Sequence, residues 1–392
     1  MPSSLPTSRG SAAEVLWVFL RLGLTSFGGP IAHLGYFRDE FVTRRKWLND
    51  VAFADLVALC QFLPGPASSQ VGFALGLMRS GPLGALAAFV GFTLPSAIAL
   101  IIFASLAVHL NTPLAAGALA GLKIVAVAIV AQAVSGMARS LCPDKTRAGL
   151  ALLSVVILAF APAPYAMPGA ILMGALIGLG LGNGEMTSPT PLPFDIPRSV
   201  SVFCLAGFAA LLIGLPLVAG TTPGLALFDS FYRAGALVFG GGHVVLPLLE
   251  SELVPQWVSH DAFLSGYGAT QAVPGPLFTF AAYLGATTSG WAGAGIALIA
   301  VFAPGFLLLI GVLPFWSALR SRAWAQSAMQ GANAAVVGVL GAALYAPVFT
   351  SSVGDMKDLS LALLCFLMLT MWRIPPWGVV LTGVAGGILL SL

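Results

Sequence analysis

Charge is nearly missing from this chain of 392 residues. Asp, Glu, Lys and Arg make up 8% of it, where a soluble domain carries about a quarter. With 58% hydrophobic residues and a mean hydropathy of +0.97, that scarcity excludes a soluble globular protein and predicts an all-α polytopic membrane protein in contact with membrane lipid. Cysteine is equally sparse: Cys60, Cys142, Cys204 and Cys365 stand far apart without a CxxC, and they read as packing residues or free thiols. The four histidines are scattered, and no HExxH, Walker or dinucleotide fingerprint occurs. No cofactor, metal centre or ATP hydrolysis is therefore expected. A formal charge of +3 is too small to imply a nucleic-acid partner. The opening stretch "MPSSLPTSRGSAAE" leads into an apolar run without a small-residue cleavage site, so the first apolar segment is expected to stay in the mature protein.

What the chain has in quantity is glycine and proline, and their placement repeats. "FGGP" (Phe27 to Pro30) and "LPGP" (Leu63 to Pro66) interrupt apolar segments, and "FGGG" (Phe239 to Gly242) and "VPGP" (Val273 to Pro276) do so again. Sliding the chain by 212 residues lays Phe19, Arg21, Gly23, Phe27, Gly28, Gly29 and Glu40 on Phe231, Arg233, Gly235, Phe239, Gly240, Gly241 and Glu252. At 210, Trp47, Gln61, Pro64, Gly65 and Pro66 meet Trp257, Gln271, Pro274, Gly275 and Pro276, and Gly121 meets Gly331; at 209, Gly81, Gly84 and Pro95 meet Gly290, Gly293 and Pro304. Such an ordered set marks a duplication. The predicted layout is a polar tail (1–13), a first repeat (14–184), a linker with one connecting transmembrane helix (185–225) and a second repeat (226–392). Each repeat holds six apolar segments, in the first at about 11–34, 52–78, 83–108, 113–138, 148–164 and 168–184.

Lys and Arg favour cytoplasmic loops. The loop with Arg38, Arg44, Arg45 and Lys46 has a counterpart, "LLESELVPQWVSHDAF", without either residue, whereas the 109–113 loop has none and its counterpart carries Arg320 and Arg322. Equivalent loops on opposite sides predict inverted repeats. If all thirteen apolar segments crossed, nine basic residues would lie outside and five inside. If the first two segments of each half dip in and return, the count becomes thirteen inside against Lys357 outside. The broken segments are thus predicted to be re-entrant.

Non-helical backbone survives at membrane depth only inside protein or along a watery cavity. Half-helix N-termini created there present unpaired N–H groups suited to anions. Gly28, Gly29, Gly65, Gly240, Gly241 and Gly275 are the expected contributors, against the plainer reading that Gly and Pro pack or kink membrane helices. Arg21 and Arg233 each precede a Gly-Gly pair by seven residues and so share its helix face, unless they snorkel to the interface. Gln61 and Gln271 precede each PGP and can donate without adding charge. Lys123, whose counterpart is Asn333, and Asp55, whose counterpart is Ser265, are coupling candidates; the competing readings are an interfacial lysine and a helix N-cap. Glu40 and Glu252 read as structural ion-pair partners, His33 and His243 as neutral packing or surface residues, and Trp47, Trp257 and Trp372 as interfacial anchors.

"FGGPIAHLGYFRDEFV", "QFLPGP", "FGGGHVVLPLLESELV" and "TQAVPGPLFTFAAYLG" together resemble the bacterial chromate ion transporter family in its long form with two homologous domains. The resemblance spans all but the N-terminal tail and the linker. It implies a multi-pass protein of the bacterial inner membrane that exports chromate, a tetrahedral dianion, and confers resistance to it, driven by protons, with sulfate as competitor. "FGGG" in place of "FGGP" departs from the first half. A passive oxyanion channel, or a transporter of sulfate or another oxyanion, stands beside this expectation; a chromate-reducing enzyme lacks its thiols, haem ligands or flavin motif. The pattern leaves room for a homodimer.

Overall fold

The computed structural model describes residues 10–107, 112–161, 163–181, 194, 196–239, 242–320 and 322–392, and among them there is no strand. The first half runs α1 (Ala12–Thr25), α2 (Gly29–Phe37, continued by a π-helical turn Arg38–Arg44), α3 (Asp50–Phe62), α4 (Ala67–Ala107), α5 (Pro113–Leu141), α6 (Lys145–Phe160) and α7 (Ala163–Leu181). The connecting helix α8 (Arg198–Val218) leads to α9 (Pro223–Ala236), α10 (Val245–Leu253), α11 (His260–Thr270), α12 (Phe280–Val312), the short α13 (Trp316–Arg320), α14 (Ala323–Ala343), α15 (Met356–Thr370) and α16 (Pro376–Ser391). Among the described residues, five helical spans are long and apolar enough to cross a membrane: Ala67–Ala107, Pro113–Leu141, Arg198–Thr221, Leu277–Phe315 and Ala323–Phe349. Outward residues of α8 such as Phe203, Ile213 and Leu217 are exposed, as a lipid-facing surface requires.

The two halves repeat each other down to backbone angles. Helix α4 folds back on itself at Ser80 (φ −143°, ψ 25°) and Gly81 (φ 66°, ψ −158°), and α12 does so at Ser289 (φ −145°, ψ 31°) and Gly290 (φ 59°, ψ −147°). On either side of each kink the arms pack through glycine: a Cβ on Gly76 or Gly285 would run into the carbonyl of Gly84 or Gly293. The arm before each kink is the returning limb of a dip. Arg79, at the end of the 67–79 arm, stacks 5.1 Å over Trp47, just ahead of α3, so α3 and this arm begin and end at one face. Glu14 near the start of α1 meets both Arg79 (3.2 Å) and Arg45 (3.5 Å), so α1 and α2 also dip and return to that face. The second half matches: Tyr283, on the arm before the second kink, donates to the Ala262 carbonyl (3.0 Å) in the first turn of α11.

The arm 82–107 then crosses, and about 39 Å of helix separates its ends. At its far end Ala104 and Ala107 share a cavity with Thr287, two residues before the second kink. The equivalent kinks therefore lie at opposite ends of one crossing.

Past this point the halves exchange partners. Helix α5 packs on α16 and α15 of the second half, while α14 packs on α7 and α6 of the first. Gly121 and Gly117 of α5 face Gly383 and Gly387 of α16, and Gly331 of α14 faces Gly174 and Gly178 of α7, close enough that a Cβ would strike the facing backbone or, at Gly383, the Val125 side chain. Small residues let helices approach where no hydrophobic effect drives them together. Gly121 and Gly331 are equivalent, so the two contacts are symmetry mates and the repeats are interlocked.

Candidate functional site

The four breaks converge. Three of them leave the helical region at glycine: Gly28 (φ 104°), Gly29 (φ 76°), Gly65 (φ 121°) and Gly275 (φ 101°) occupy conformations that L side chains rarely adopt, and the FGGG break is described from Gly242 onward. Pro30 sits in the first turn of α2, where its missing N–H costs nothing. Across the halves, the Gly275 N–H donates to the Ser26 carbonyl (2.9 Å) and the Gly65 N–H donates to the Val238 carbonyl (2.7 Å). Ser26 and Val238 are equivalent at the 212 offset and Gly65 and Gly275 at 210, so these bonds form a reciprocal pair. Each PGP also rests on the other half's long helix: Gly65 against Gly305, and Gly275 against Ser96, which are again equivalent positions. Gly242 abuts Pro30, its own counterpart, and a Cβ at this position would come within 2.9 Å of the Pro30 ring. That contact explains why FGGP is answered by FGGG: two prolines would compete for the same space. The amides of Gly65 and Gly275 are thereby committed to carbonyls.

Around this crossing the first half is polar. Ser26, His33, Ser68, Ser69, Gln70, Thr93 and Ser96 are all buried. His33 Nδ1 lies 3.4 Å from Ser68 Oγ, and its ring meets Phe92 edge-on at 5.2 Å. Gln70 Nε2 donates to the carbonyls of Pro64 (3.1 Å) and Gly305 (2.9 Å), bracing the LPGP turn against α12. Among the described residues Ser26 Oγ, His33 Nε2, Ser69 Oγ, Gln70 Oε1 and Thr93 Oγ1 have no geometrically formed hydrogen bond, although buried polar atoms nearly always find one. The second half is drier at the same positions, with Val238, Val245, Phe278, Thr279, Phe280, Phe302 and Gly305. Sequence reasoning missed this cluster because it sought residues shared by the halves; a search for polar residues that lose their polarity in the second copy would have found it. The imidazole of His243 accepts or donates at 2.7 Å to the Tyr267 hydroxyl and faces Gly29. Both histidines thus stand at the crossing.

The charged candidates lie apart from it. Arg21 is exposed on the same side of α1 as Trp17 and Leu24, and among the described residues its guanidinium has no partner. Arg233 bonds to Asp229 (3.0 Å) and Glu252 (2.9 Å). Glu40 bonds to Arg44 and Arg45, so both glutamates serve in ion pairs as their loop positions suggest. Asp55 is buried within α3, whose cap is Asn49; the N-cap reading does not hold. Lys123 reaches Asp261 at 2.7 Å and lines a cavity of about 570 Å³ with Trp257, Ser265, Tyr283 and Thr287, opening at the end that holds the second kink. Gln61 is exposed, whereas Gln271 is buried with Nε2 unpartnered. Gly240 and Gly241 lie outside the described residues. Trp47 is buried beneath Arg79 and is no interfacial anchor. The described residues hold no cluster of three or more metal-ligating side chains.

The geometry can be set beside known proteins. The chromate transporter family matches residues 13–179 and 225–388, one match in each repeat. The chain is 27% identical over 329 residues to a chromate transport protein of Pseudomonas aeruginosa, covering 83% of this chain and 78% of that one. It is 25% identical over 378 residues to a chromate transport protein of Cupriavidus metallidurans, covering 92% and 88%. An uncharacterized transporter of Methanocaldococcus jannaschii is 27% identical over 317 residues, covering 79% and 78%. No solved structure matches. With both repeats matched over most of their length, the chain belongs to the chromate transporter family.

Proposed function

We propose that this protein is a secondary active transporter that exports chromate across the bacterial inner membrane in exchange for protons and so confers chromate resistance. Family membership and the chromate transport proteins among its relatives support chromate as substrate. The observation that carries the mechanism is the reciprocal crossing of the breaks, Gly275 N–H to Ser26 and Gly65 N–H to Val238. A site where both halves meet, built from segments that enter from opposite ends, fits inverted repeats that expose one seat to either side in turn. In this reading the breaks at Gly28, Gly29, Gly65, Gly240, Gly241 and Gly275 shape the seat, with the buried amide of Gln271 beside it and the exposed Gln61 outside it. Arg21 supplies an open positive charge for capture, and Arg233, held by two carboxylates, keeps α9 and α10 in register. Asp55 carries the proton, and Lys123 with Asp261 guards the cavity between α5 and α11.

The test is uptake of labelled chromate into inverted membrane vesicles with and without a pH gradient and with excess sulfate. Accumulation that depends on the gradient and falls with sulfate is expected. Equilibration that ignores the gradient would replace the exchanger with a passive oxyanion channel, and no uptake under any gradient would discard transport of chromate.

A further inference from the structure

The sequence repeats predict a symmetric cradle, yet the buried polar groups are not symmetric. We propose that the anion is seated off the pseudo-twofold axis, in the first half, on an uncharged donor set: the hydroxyls of Ser26, Ser69 and Thr93, Nε2 of His33 and the side-chain amide of Gln271. This inference rests on the oxyanion-transport reading and names the atoms that carry it out.

Three observations converge on these five residues. Each is at least nine-tenths buried; among the described residues the named atoms of Ser26, Ser69, Thr93 and Gln271 have no hydrogen-bond partner, and the His33 imidazole, with Nε2 otherwise unpaired, faces the Ser26 backbone. They belong to one neighbourhood: the Ser26 carbonyl holds Gly275, four residues past Gln271; Gly275 lies against Ser96 and the Phe92 carbonyl; Thr93 follows Phe92, whose ring touches His33; and His33 reaches Ser68, beside Ser69. At their equivalents the polarity is gone or spent. Val238, Val245 and Phe302 replace Ser26, His33 and Thr93; the Thr279 hydroxyl, matching Ser69, already donates to Pro276 (2.7 Å); and Gln61, matching Gln271, is exposed.

The chemistry suits a tetrahedral oxyanion. Such a ligand offers only acceptors, and every named group can donate, His33 through Nε2 once Ser68 donates to Nδ1. Ser69 lies in the first turn of α4 and His33 at the start of the second turn of α2, near N-terminal ends that add positive potential without a fixed charge. Neutral donors bind a dianion firmly enough to select it yet leave no buried countercharge to hold it back at release.

The experiment measures chromate flux in proteoliposomes and the chromate-dependent rise in the unfolding midpoint of purified protein. Ser69→Ala and Thr93→Val should each raise KM about tenfold or more and shrink the chromate-dependent rise, with the ligand-free midpoint unchanged and Thr93→Ser restoring both. The second-half counterpart Thr279→Ala should keep the wild-type KM. If wild-type protein transports chromate while Ser69→Ala and Thr93→Val retain its KM and midpoint rise, the off-axis seat is overturned and the transport function stands. If wild-type protein neither moves nor binds chromate, both fall together.

Discussion

Arg21 and Arg233 occupy equivalent positions, yet their surroundings separate them. Helix α9 places Asp229 one turn before Arg233, where α1 has Trp17, and α10 adds Glu252. Replacing Arg233 by Gln leaves the buried Asp229 carboxylate without its countercharge, a loss of about 1–3 kcal/mol. Arg21→Gln removes an exposed side chain and should change stability by less than about 0.5 kcal/mol. Thermal unfolding of the two purified variants checks this, and equal midpoints would refute the distinction. The difference was legible: Asp229 and Arg233 are an i,i+4 pair in the sequence. The polar cluster shows in the sequence only as polarity lost in the second copy; that its groups sit unpaired does not show, because serine, threonine and glutamine near a Pro-Gly turn look the same whether they cap a helix or lie in its core.

At the scale of helices, the breaks and the kinks obey different rules. Gly65 and Gly275 are fixed by close neighbours, since a Cβ on either would crowd Gly305 or Ser96. Gly81 and Gly290 have nothing within 4 Å of a Cβ, so only their backbone angles demand glycine. Gly81→Ala and Gly290→Ala should therefore each cost about 1–3 kcal/mol through conformation alone. Denaturation midpoints that match wild type would show that the hairpin between the arms adapts. The sequence placed these kinks well, ending one segment at 78 and starting the next at 83. The Lys and Arg count, which predicts a re-entrant path, speaks of sidedness, a property recorded in loops and not in the packing of the helices. The crossing of the breaks was hidden, since which carbonyl receives the Gly65 or Gly275 amide depends on how the halves dock.

For the molecule as a whole, the duplication was plain in the sequence and the interlocking was not. Gly117, Gly121, Gly383 and Gly387 form small-residue stripes, and such a stripe advertises close packing without naming its partner. In the fold, α5 finds α16 and α14 finds α7, so neither repeat closes its own helix layer. The exchange ties the halves to each other across both helix layers. Glu14, Arg45, Trp47 and Arg79 gather at one end of the 82–107 crossing, and Ser259, Asp261 and Thr287 gather at the other. Single cysteines at Lys46 and at Ser259, introduced after the four native cysteines are replaced, should therefore react with a membrane-impermeant maleimide from opposite sides. The positive loop at Arg38 to Lys46 should be the one protected in intact cells. Labelling of both from one side would mean that the crossing arm does not span, and the two breaks would then share a single entrance, which rules out alternating exposure of the seat.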